Sequence, residues 1–216
     1  MSRRVRVSRL HSTAASGGTQ LSARGAERPY VVFDLDDTLA NLREHLMAML
    51  NRRTGREIHW NDWRRYELVT VYGASVEQIL DWVLKDRVLE AAHLEPHARE
   101  AVQAARDAGY RIAVVTARGW HPRGEAITRG WLEANEIAVD ALHLVPAFGS
   151  KAEVLARMGP VRHFIDDHAG HLHPARAVPS VGDTHLIDRP WNRDDETHNR
   201  LRGLDEFMRL LTEPTG

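Results

Sequence analysis

Short apolar runs alternate with helical patterns along most of the chain. Four runs, rich in β-branched and aromatic residues, have the length of buried strands: residues 31–33, 112–115, 161–165 and 185–187. Amphipathic segments that carry helix start or stop signals follow them, at residues 96–108, 122–135, 151–158 and 198–211. Ser150 is placed to cap the third of these helices. Strands that alternate with helices predict an α/β fold, a parallel sheet with helices on both faces.

One interval departs from this alternation. The first strand ends at Asp34 and the second at Thr116, although a single strand–helix–strand unit needs only about 30 residues. The excess has helical patterns, including an apolar stripe that stops at Gly55 and a capping-box pair, Ser75 and Gln78. We therefore expect a small helical cap at residues 41–92, inserted into an α/β core of residues 29–40 and 93–216.

Charge is distributed unevenly along the sequence. Residues 1–28 contain six Arg and one Glu and have no strong apolar period, which predicts a disordered basic tail. The whole chain has a net charge of −1, so residues 29–216 carry −6. A mildly acidic folded part disfavours a long nucleic acid as substrate.

The composition narrows the class of protein further. An apolar fraction of 43% in 216 residues is sufficient for one core and a small accessory element. The absence of cysteine excludes disulfides, thiolate metal sites and cysteine nucleophiles, and it fits a reducing compartment such as the cytoplasm. No apolar run reaches the roughly 18 residues of a membrane span, so no membrane partner is expected. The oligomeric state stays open.

Acidic residues collect where the first strand ends. Asp34, Asp36 and Asp37 fall within four residues, and like charges at close range repel one another. A hard cation such as Mg²⁺ would offset that repulsion. Asp37 or Thr38 alone would be interpreted as a cap for the following helix, but the group as a whole favours a metal-dependent site.

Polar residues also follow the later strands. A second acidic pair, Asp166 and Asp167, ends another apolar strand. Thr116 ends a third strand, and its hydroxyl together with nearby backbone N–H groups, such as that of Ala117, suits a phosphate oxygen. Lys151 is one of only two Lys in a chain with 27 Arg, and it stands at a helix start, where a positive charge is unfavourable. Its compact ammonium suits a phosphate group.

These residues, taken in order, resemble the four motifs of the haloacid dehalogenase (HAD) superfamily. The order is Asp-x-Asp-x-Thr, then Thr, then Lys, then Asp-Asp, each after a strand, and the resemblance covers about residues 30–190. The resemblance implies a HAD-like Rossmannoid sheet and a Mg²⁺-dependent phosphatase that acts on a small phosphorylated substrate. It further implies an aspartyl-phosphate intermediate.

The resemblance also implies a role for each motif residue. Asp34 would be the nucleophile and a metal ligand, and Asp36 would be the general acid/base and would lend its backbone carbonyl to the metal. Asp166 would ligate Mg²⁺, directly or through water, with Asp167 in support. The phosphoryl group would be bound by the motif residues Thr116 and Lys151, with Ala117 beside them.

A looser resemblance points to the 5′-nucleotidase, or 5′(3′)-deoxyribonucleotidase, branch. It depends on residues 60–68 within the expected cap and on residues 187–192 after the last strand. Trp60, Trp63 and Tyr66 would stack on a nucleobase, or alternatively pack the core of the cap itself. In the same way, Trp191 either contacts substrate or anchors its loop. Nucleoside monophosphates are therefore the first candidate substrates.

Related phosphatases remain alternatives. The segment 116–118, which includes the substrate candidate Arg118, has some likeness to polynucleotide 3′-phosphatases together with Thr128 and residues 131–132. Sugar phosphates also stay open as substrates. His168 is a candidate for contact with substrate, whereas His171 and His173 are interpreted as surface histidines. Their irregular spacing and the lack of cysteine argue against a zinc site.

Three unrelated classes fit less well. In a response-regulator receiver the acidic pair precedes the phosphoacceptor strand and the Lys comes last, which is not the order here. A Rossmann dehydrogenase needs a Gly-rich turn where this chain has Asp36, Asp37 and Thr38. A HAD-fold binding module without catalysis would be expected to have lost Asp34 or Asp36, and both are present.

Overall fold

A computed structural model describes residues 27–213 of the chain. The predicted tail at residues 1–28 lies outside the described residues except for its last two. Of those two, Glu27 accepts a hydrogen bond from Arg111 Nη1 at 2.7 Å. Among the described residues, no helix combines the length and apolar character needed to cross a lipid bilayer.

A six-stranded, wholly parallel sheet forms the centre of the molecule. The chain contains these strands: β1 (Tyr30–Phe33), β2 (Ala40–Asn41), β3 (His93–Leu94), β4 (Arg111–Thr116), β5 (Ala141–Leu144), β6 (Val161–Asp166), β7 (Val181–Ile187) and β8 (Asn199–Leu201). The order in the large sheet is β5-β4-β1-β6-β7-β8, and β2 pairs antiparallel with β3 in a separate ribbon. The predicted parallel α/β sheet is thus confirmed.

Helices cover both faces of this sheet. They are α1 (Arg43–Thr54), α2 (Leu68–Tyr72), α3 (Val76–Lys85), α4 (Val88–Ala91), α5 (Ala98–Asp107), α6 (Gly124–Ala134), α7 (Lys151–Met158), α8 (Ala169–Ala175) and α9 (Leu204–Thr212). Successive β1 residues point to opposite faces, so Val31 and Phe33 join one apolar core while Val32 joins the other. Because β1 is buried on both faces, its sequence is continuously apolar.

Helices α1 to α4 lie between β1 and β4 in the chain, in the interval from which the cap was predicted. The end signals predicted there are present. Gly55 adopts the left-handed conformation that ends α1, with φ of 68°. Ser75 and Gln78 form a reciprocal capping box at the start of α3. That residues 41–92 form a unit of their own remains our proposal.

Several element predictions need correction. The predicted helix at 198–211 is a strand, β8, followed by α9, because the backbone at residues 199–201 pairs with β7. Strand β5 was missed, since its ALHL sequence is short and ambiguous between strand and helix. Ser150 makes no capping hydrogen bond to α7, although that helix has the predicted bounds.

The strand order explains where chemistry can occur. Strands β4, β1 and β6 are neighbours in the sheet, with β1 in the middle. Since all three are parallel, the residues that follow them meet at one edge. The polar strand ends that are far apart in sequence are therefore adjacent in space.

Candidate active site

Three buried carboxylates form the floor of the site. Asp34 follows β1 and is tied to β6 through its backbone N–H, which donates to the carbonyl of Ile165 at 2.8 Å. Asp34, Asp166 and Asp167 each offer a carboxylate oxygen, and these oxygens lie within 4.8 Å of one another. All three residues are buried, with Asp166 fully inaccessible. The arrangement places three like charges in a poorly solvated space.

A single ammonium group joins two of these carboxylates. Lys151, the first residue of α7, donates from Nζ to Asp34 Oδ1 and to Asp166 Oδ2, the latter at 2.8 Å. Its side chain is only 1% exposed, so this Lys is committed to the site rather than to solvent. The two carboxylates raise the pKa of Lys151 by more than burial lowers it, so its charge is retained.

Burial raises the pKa of each of the three carboxylates, but the net shifts differ in direction. Burial, together with the charges of Asp166 and Asp36, raises the pKa of Asp34 to about 8, although Lys151 opposes the shift. Burial and the neighbouring carboxylates likewise raise the pKa of Asp167 well above its usual value. For Asp166, burial is more than offset by Lys151 together with His171 and the backbone N–H of His168, so its pKa lies below the usual value. Without a further positive charge, these shifts favour the protonated forms of Asp34 and Asp167.

The donor set therefore fits a hard divalent cation. Clustered carboxylate oxygens are the ligands that Mg²⁺ prefers, and a cation here would offset the repulsion that raises the pKa values of Asp34 and Asp167. Asp34, Asp166 and Asp167 are the residues positioned to hold it.

Asp36 has a different partner. Arg118 donates from Nε to Asp36 Oδ2 at 2.9 Å and from Nη2 to Oδ1 at 2.5 Å. The Arg118 side chain is 1% exposed, whereas Asp36 is 25% exposed and lines the cavity above the floor. The candidate acid/base is thus oriented by a buried guanidinium and open to a bound molecule.

Asp37 supports the turn that carries Asp34 and Asp36. Its backbone φ is 60°, and its Oδ1 accepts from the backbone N–H groups of Leu42 at 3.2 Å and Arg43 at 3.0 Å, at the start of α1. This contact is the helix-capping role that the sequence suggests for Asp37 when that residue is considered by itself. Burial, only partly offset by Arg43, raises the pKa of Asp37 to about 6.

Sequence reasoning missed a buried charge network around Asp37. Arg43 contacts Asp37 and Glu95, while Arg189 lies 3.1 Å from Glu95 and donates from Nε to the carbonyl of Asp37 at 2.9 Å. Glu95 is more than 50 residues from Arg43, and charged residues of this kind are common throughout the chain. No sequence signal distinguishes these residues from ordinary surface charges.

Trp191 anchors an acid of the floor. Its Nε1 donates to Asp167 Oδ2 at 2.8 Å, and Asn192 donates to the carbonyl of Asp167 at 2.7 Å. Trp63 packs against the other side of this contact, with its ring centroid 4.2 Å from that of Trp191. Trp63 is itself only 3% exposed. Trp63 lines the cavity, whereas Trp191 is buried and does not line it.

The two residues after β4 are placed differently from each other. Thr116 is fully buried and does not line the cavity, and its Oγ1 has no hydrogen-bond partner among the described residues. Ala117 does line the cavity and precedes a short 3₁₀ turn at Arg118–Trp120. Ala117 is thus open to the cavity, whereas the Thr116 hydroxyl is not.

A cavity of about 370 Å³ lies above the carboxylates and extends under helices α1 to α4. Tyr66 lines it and stacks on His168, with ring centroids 3.9 Å apart and planes 21° apart. Burial raises the pKa of the Tyr66 hydroxyl well above its usual value, and the charges of nearby carboxylates, of which Asp167 contributes most, raise it further. Its aromatic face and its hydroxyl therefore both belong to the site.

The structure corrects the expectations for two residues near the cavity, His171 and Trp60. His171 also lines the cavity, and burial lowers its pKa to about 4, so its interpretation as a surface histidine is wrong. Trp60 does not line the cavity. Instead, the Arg43 guanidinium lies 4.8 Å from the centre of its ring. Of the three aromatic residues singled out in the predicted cap, only Tyr66 is substantially exposed.

Comparison with known proteins gives one relative in sequence. A protein of Oceanobacillus iheyensis, provisionally named a nucleotidase, is 24% identical over 188 residues, which is 82% of this chain and 95% of that protein. No family model matches the chain.

Solved structures give matches over nearly the whole molecule. A HAD-like family hydrolase from Streptococcus pneumoniae has a TM-score of 0.62 and 14% identity, covering 86% of this chain and 99% of that one. A predicted phosphatase from Clostridium acetobutylicum has a TM-score of 0.63 and 14% identity, covering 87% and 99%. A HAD-superfamily hydrolase from Geobacter sulfurreducens has a TM-score of 0.56 and 17% identity, covering 88% and 100%.

Proposed function

Since the chain has the fold of the HAD-superfamily hydrolases, we propose that it is a phosphomonoester hydrolase in which Asp34 accepts the phosphoryl group. The observation that carries the proposal is the contact of Lys151 with both Asp34 and Asp166 at the carboxyl edge of the sheet. A buried ammonium between two acids neutralises negative charge where a phosphoryl group would enter.

The proposed reaction has two steps. Asp34 attacks the phosphorus, the bond between phosphorus and the leaving oxygen breaks, and Asp36 gives its proton to that oxygen. Water then attacks the aspartyl-phosphate, Asp36 takes a proton from the water, and the bond between phosphorus and Asp34 breaks. Lys151 holds Asp34 Oδ1, which leaves Oδ2 for attack.

We propose Mg²⁺ as the cofactor. Asp34 and Asp166 would ligate it, with the backbone carbonyl of Asp36 as a further ligand and Asp167, held by Trp191, in support. A bound Mg²⁺ supplies positive charge that offsets the negative charge of the transferred phosphoryl oxygens. The raised pKa values of Asp34 and Asp167 support the need for such a charge.

Nucleoside monophosphates are the proposed substrates by likeness to known proteins. The support is the name of the Oceanobacillus iheyensis relative and the aromatic residues of the cap, of which Tyr66 has an exposed face. Polynucleotide 3′-phosphatases and sugar-phosphate phosphatases remain the alternatives within the same fold.

The direct test is capture of the intermediate. The purified full chain is mixed with Mg²⁺ and a nucleoside monophosphate, the mixture is acid-quenched within one turnover, and the mass of the intact protein is measured. We expect a fraction of the protein to gain one phosphoryl group, located on the peptide that contains Asp34. Phosphate release without a gain in mass at any time point would point to direct attack by water and overturn the role of Asp34.

A further inference from the structure

The wall of the cavity above the carboxylates is almost entirely apolar. Of the twelve lining residues contributed by residues 42–89, nine are aliphatic and only Glu67 is charged. The aliphatic residues come from several helices, so more than one element contributes to the apolar surface. They are Leu42, Leu46, Leu68, Val69, Val76, Ile79, Leu80, Val83 and Leu89.

The rim of the same cavity is also apolar and exposed. Five large apolar side chains are exposed among residues 27–213, and three of them line this cavity. They are Tyr66 at 43%, Val69 at 36% and Phe148, on the core side of the opening, at 84%. Exposed apolar residues concentrated at the mouth of a cavity indicate a binding surface rather than scattered surface positions.

Most polar groups of the cavity lie at its floor and already have partners there, and the lining contributed by residues 42–89 adds only Glu67 and the hydroxyl of Tyr66. Lys151 is held by two carboxylates, Arg118 by Asp36, and Asp167 by Trp191. On binding, the hydroxyl groups of a sugar would lose hydrogen bonds to water, and the apolar wall would replace few of them. An unpaired hydroxyl disfavours binding, whereas an apolar group gains from leaving water.

We propose that the alcohol half of the substrate is apolar, so that the preferred phosphomonoesters are those of arylalkyl or aliphatic alcohols. This inference depends on the proposed function, because the carboxylate floor must bind the phosphoryl group for the wall to contact the rest of the molecule. The lining of the cavity thus ranks arylalkyl phosphates above the nucleoside monophosphates that likeness to a known protein suggests, and it ranks sugar phosphates last.

A series of substrates with leaving alcohols of similar acidity tests the ranking. We would measure kcat/KM with Mg²⁺ for ethyl, butyl, hexyl and 4-phenylbutyl phosphate, and for thymidine 5′-monophosphate and ribose 5-phosphate. Each methylene that enters the apolar wall should raise kcat/KM by up to about fourfold until the cavity is filled. Equal values along the alkyl series, or a preference for ribose 5-phosphate, would overturn the inference while phosphatase activity itself stood.

Binding without turnover separates this inference from the proposed function. The corresponding alkyl phosphonates cannot be hydrolysed, and their affinity is measured by calorimetry. We expect affinity to rise along the same series. If no phosphate ester is hydrolysed but phosphonate affinity rises with chain length, then the proposed function is wrong and the apolar specificity stands. If affinity is flat, the specificity is wrong.

Substitutions at the rim of the cavity test whether these residues cause the preference for apolar substrates. Phe148→Ser and Val69→Thr should each lower the ratio of kcat/KM for 4-phenylbutyl phosphate to that for ribose 5-phosphate. Leu84→Ser and Leu210→Ser are matched controls, since these residues are 36% and 40% exposed and lie outside the cavity. They should leave the ratio unchanged. An equal fall in all four variants would show that the rim has no part in specificity.

Discussion

Arg118 holds Asp36 through two hydrogen bonds, at 2.9 Å and 2.5 Å, although the residues are 82 positions apart in the sequence. The planar guanidinium matches both carboxylate oxygens, so it determines the orientation of the group proposed to transfer protons. A Lys at this position would provide a point charge without that fork.

We therefore expect Arg118→Lys to lower kcat by about 10- to 100-fold, as loss of orientation removes part of general acid/base catalysis. KM should change less, because the phosphoryl group is bound elsewhere. Arg118→Ala should regain activity when millimolar guanidinium is added, which a purely structural role would not produce. Arg123→Lys is the control, since Arg123 pairs with Glu90 at the surface. Normal kcat in Arg118→Lys would exclude the positioning role.

Asp34→Asn should abolish turnover and phosphoryl capture, since an amide does not form the aspartyl-phosphate. The melting temperature of the variant should be equal to that of the parent or higher, because the change removes one of three crowded carboxylates. Burial raises the pKa of the Asp34 carboxyl to about 8, so its charged form is unfavourable in the folded chain. Phosphate release and differential scanning calorimetry provide the two measurements. Asp205→Asn, on α9, is the control and should retain activity. Substantial turnover in Asp34→Asn would mean that the nucleophile is wrong.

Mg²⁺ should be required for phosphatase activity and should raise the melting temperature of the protein. The reason is the cluster formed by Asp34, Asp166 and Asp167, which a cation binds only in the folded chain. A chelator should abolish activity, and added Mg²⁺ should restore it. In Asp166→Asn the Mg²⁺-dependent rise in melting temperature should shrink or vanish. Full activity in metal-free buffer would contradict the assignment of the cofactor.

Two aromatic residues of the site should behave differently when changed. Trp63 is 3% exposed and packs on Trp191, so Trp63→Ala should lower the free energy of unfolding by about 3–5 kcal/mol and reduce kcat/KM for every substrate. Tyr66 is 43% exposed, so Tyr66→Ala should alter stability less and should affect large substrates more than ethyl phosphate. Chemical denaturation and a two-substrate assay measure both effects. Similar profiles for the two variants would show that Tyr66 is also only structural.

A buried histidine pair predicts acid sensitivity away from the site. His163 Nδ1 lies 3.0 Å from His185 Nε2, and burial lowers the pKa of each residue to about 4. Each folded pKa is below the unfolded value, so the folded chain binds fewer protons. Stability is therefore complete above about pH 6.5 and is lost as the pH falls toward 4, by on the order of 2 kcal/mol for each histidine.

Urea denaturation between pH 4 and 7 measures this slope. The double variant His163→Gln and His185→Gln should have a shallower slope than the parent. Some slope should remain, since His171 has a similar shift. His97→Gln changes an exposed histidine and is the control. An unchanged slope in the double variant would mean that the pair is protonated in the folded chain.

The sequence alone determined the parallel α/β sheet, because strands buried on both faces must be continuously apolar, as in Val31, Val32 and Phe33. It also predicted which polar residues meet, since the carboxyl ends of parallel strands share an edge. In the structure, Lys151 contacts both Asp34 and Asp166, and carboxylate oxygens of these two acids lie within 4.8 Å of each other. Helix ends at Gly55 and Ser75 were predictable for a local reason, as both depend on a few neighbouring residues.

Contacts between distant segments were decided only by the tertiary structure. Nothing in the sequence pairs Arg118 with Asp36 or Arg189 with Glu95, because any Arg in a chain with 27 of them is an equal candidate. Strand β8 exists because residues 199–201 find a partner in β7, which local propensity does not encode. The aromatic residues of the cap differ in exposure for the same reason: burial depends on which segment packs against each side chain, and Trp63 meets Trp191 while Tyr66 meets His168.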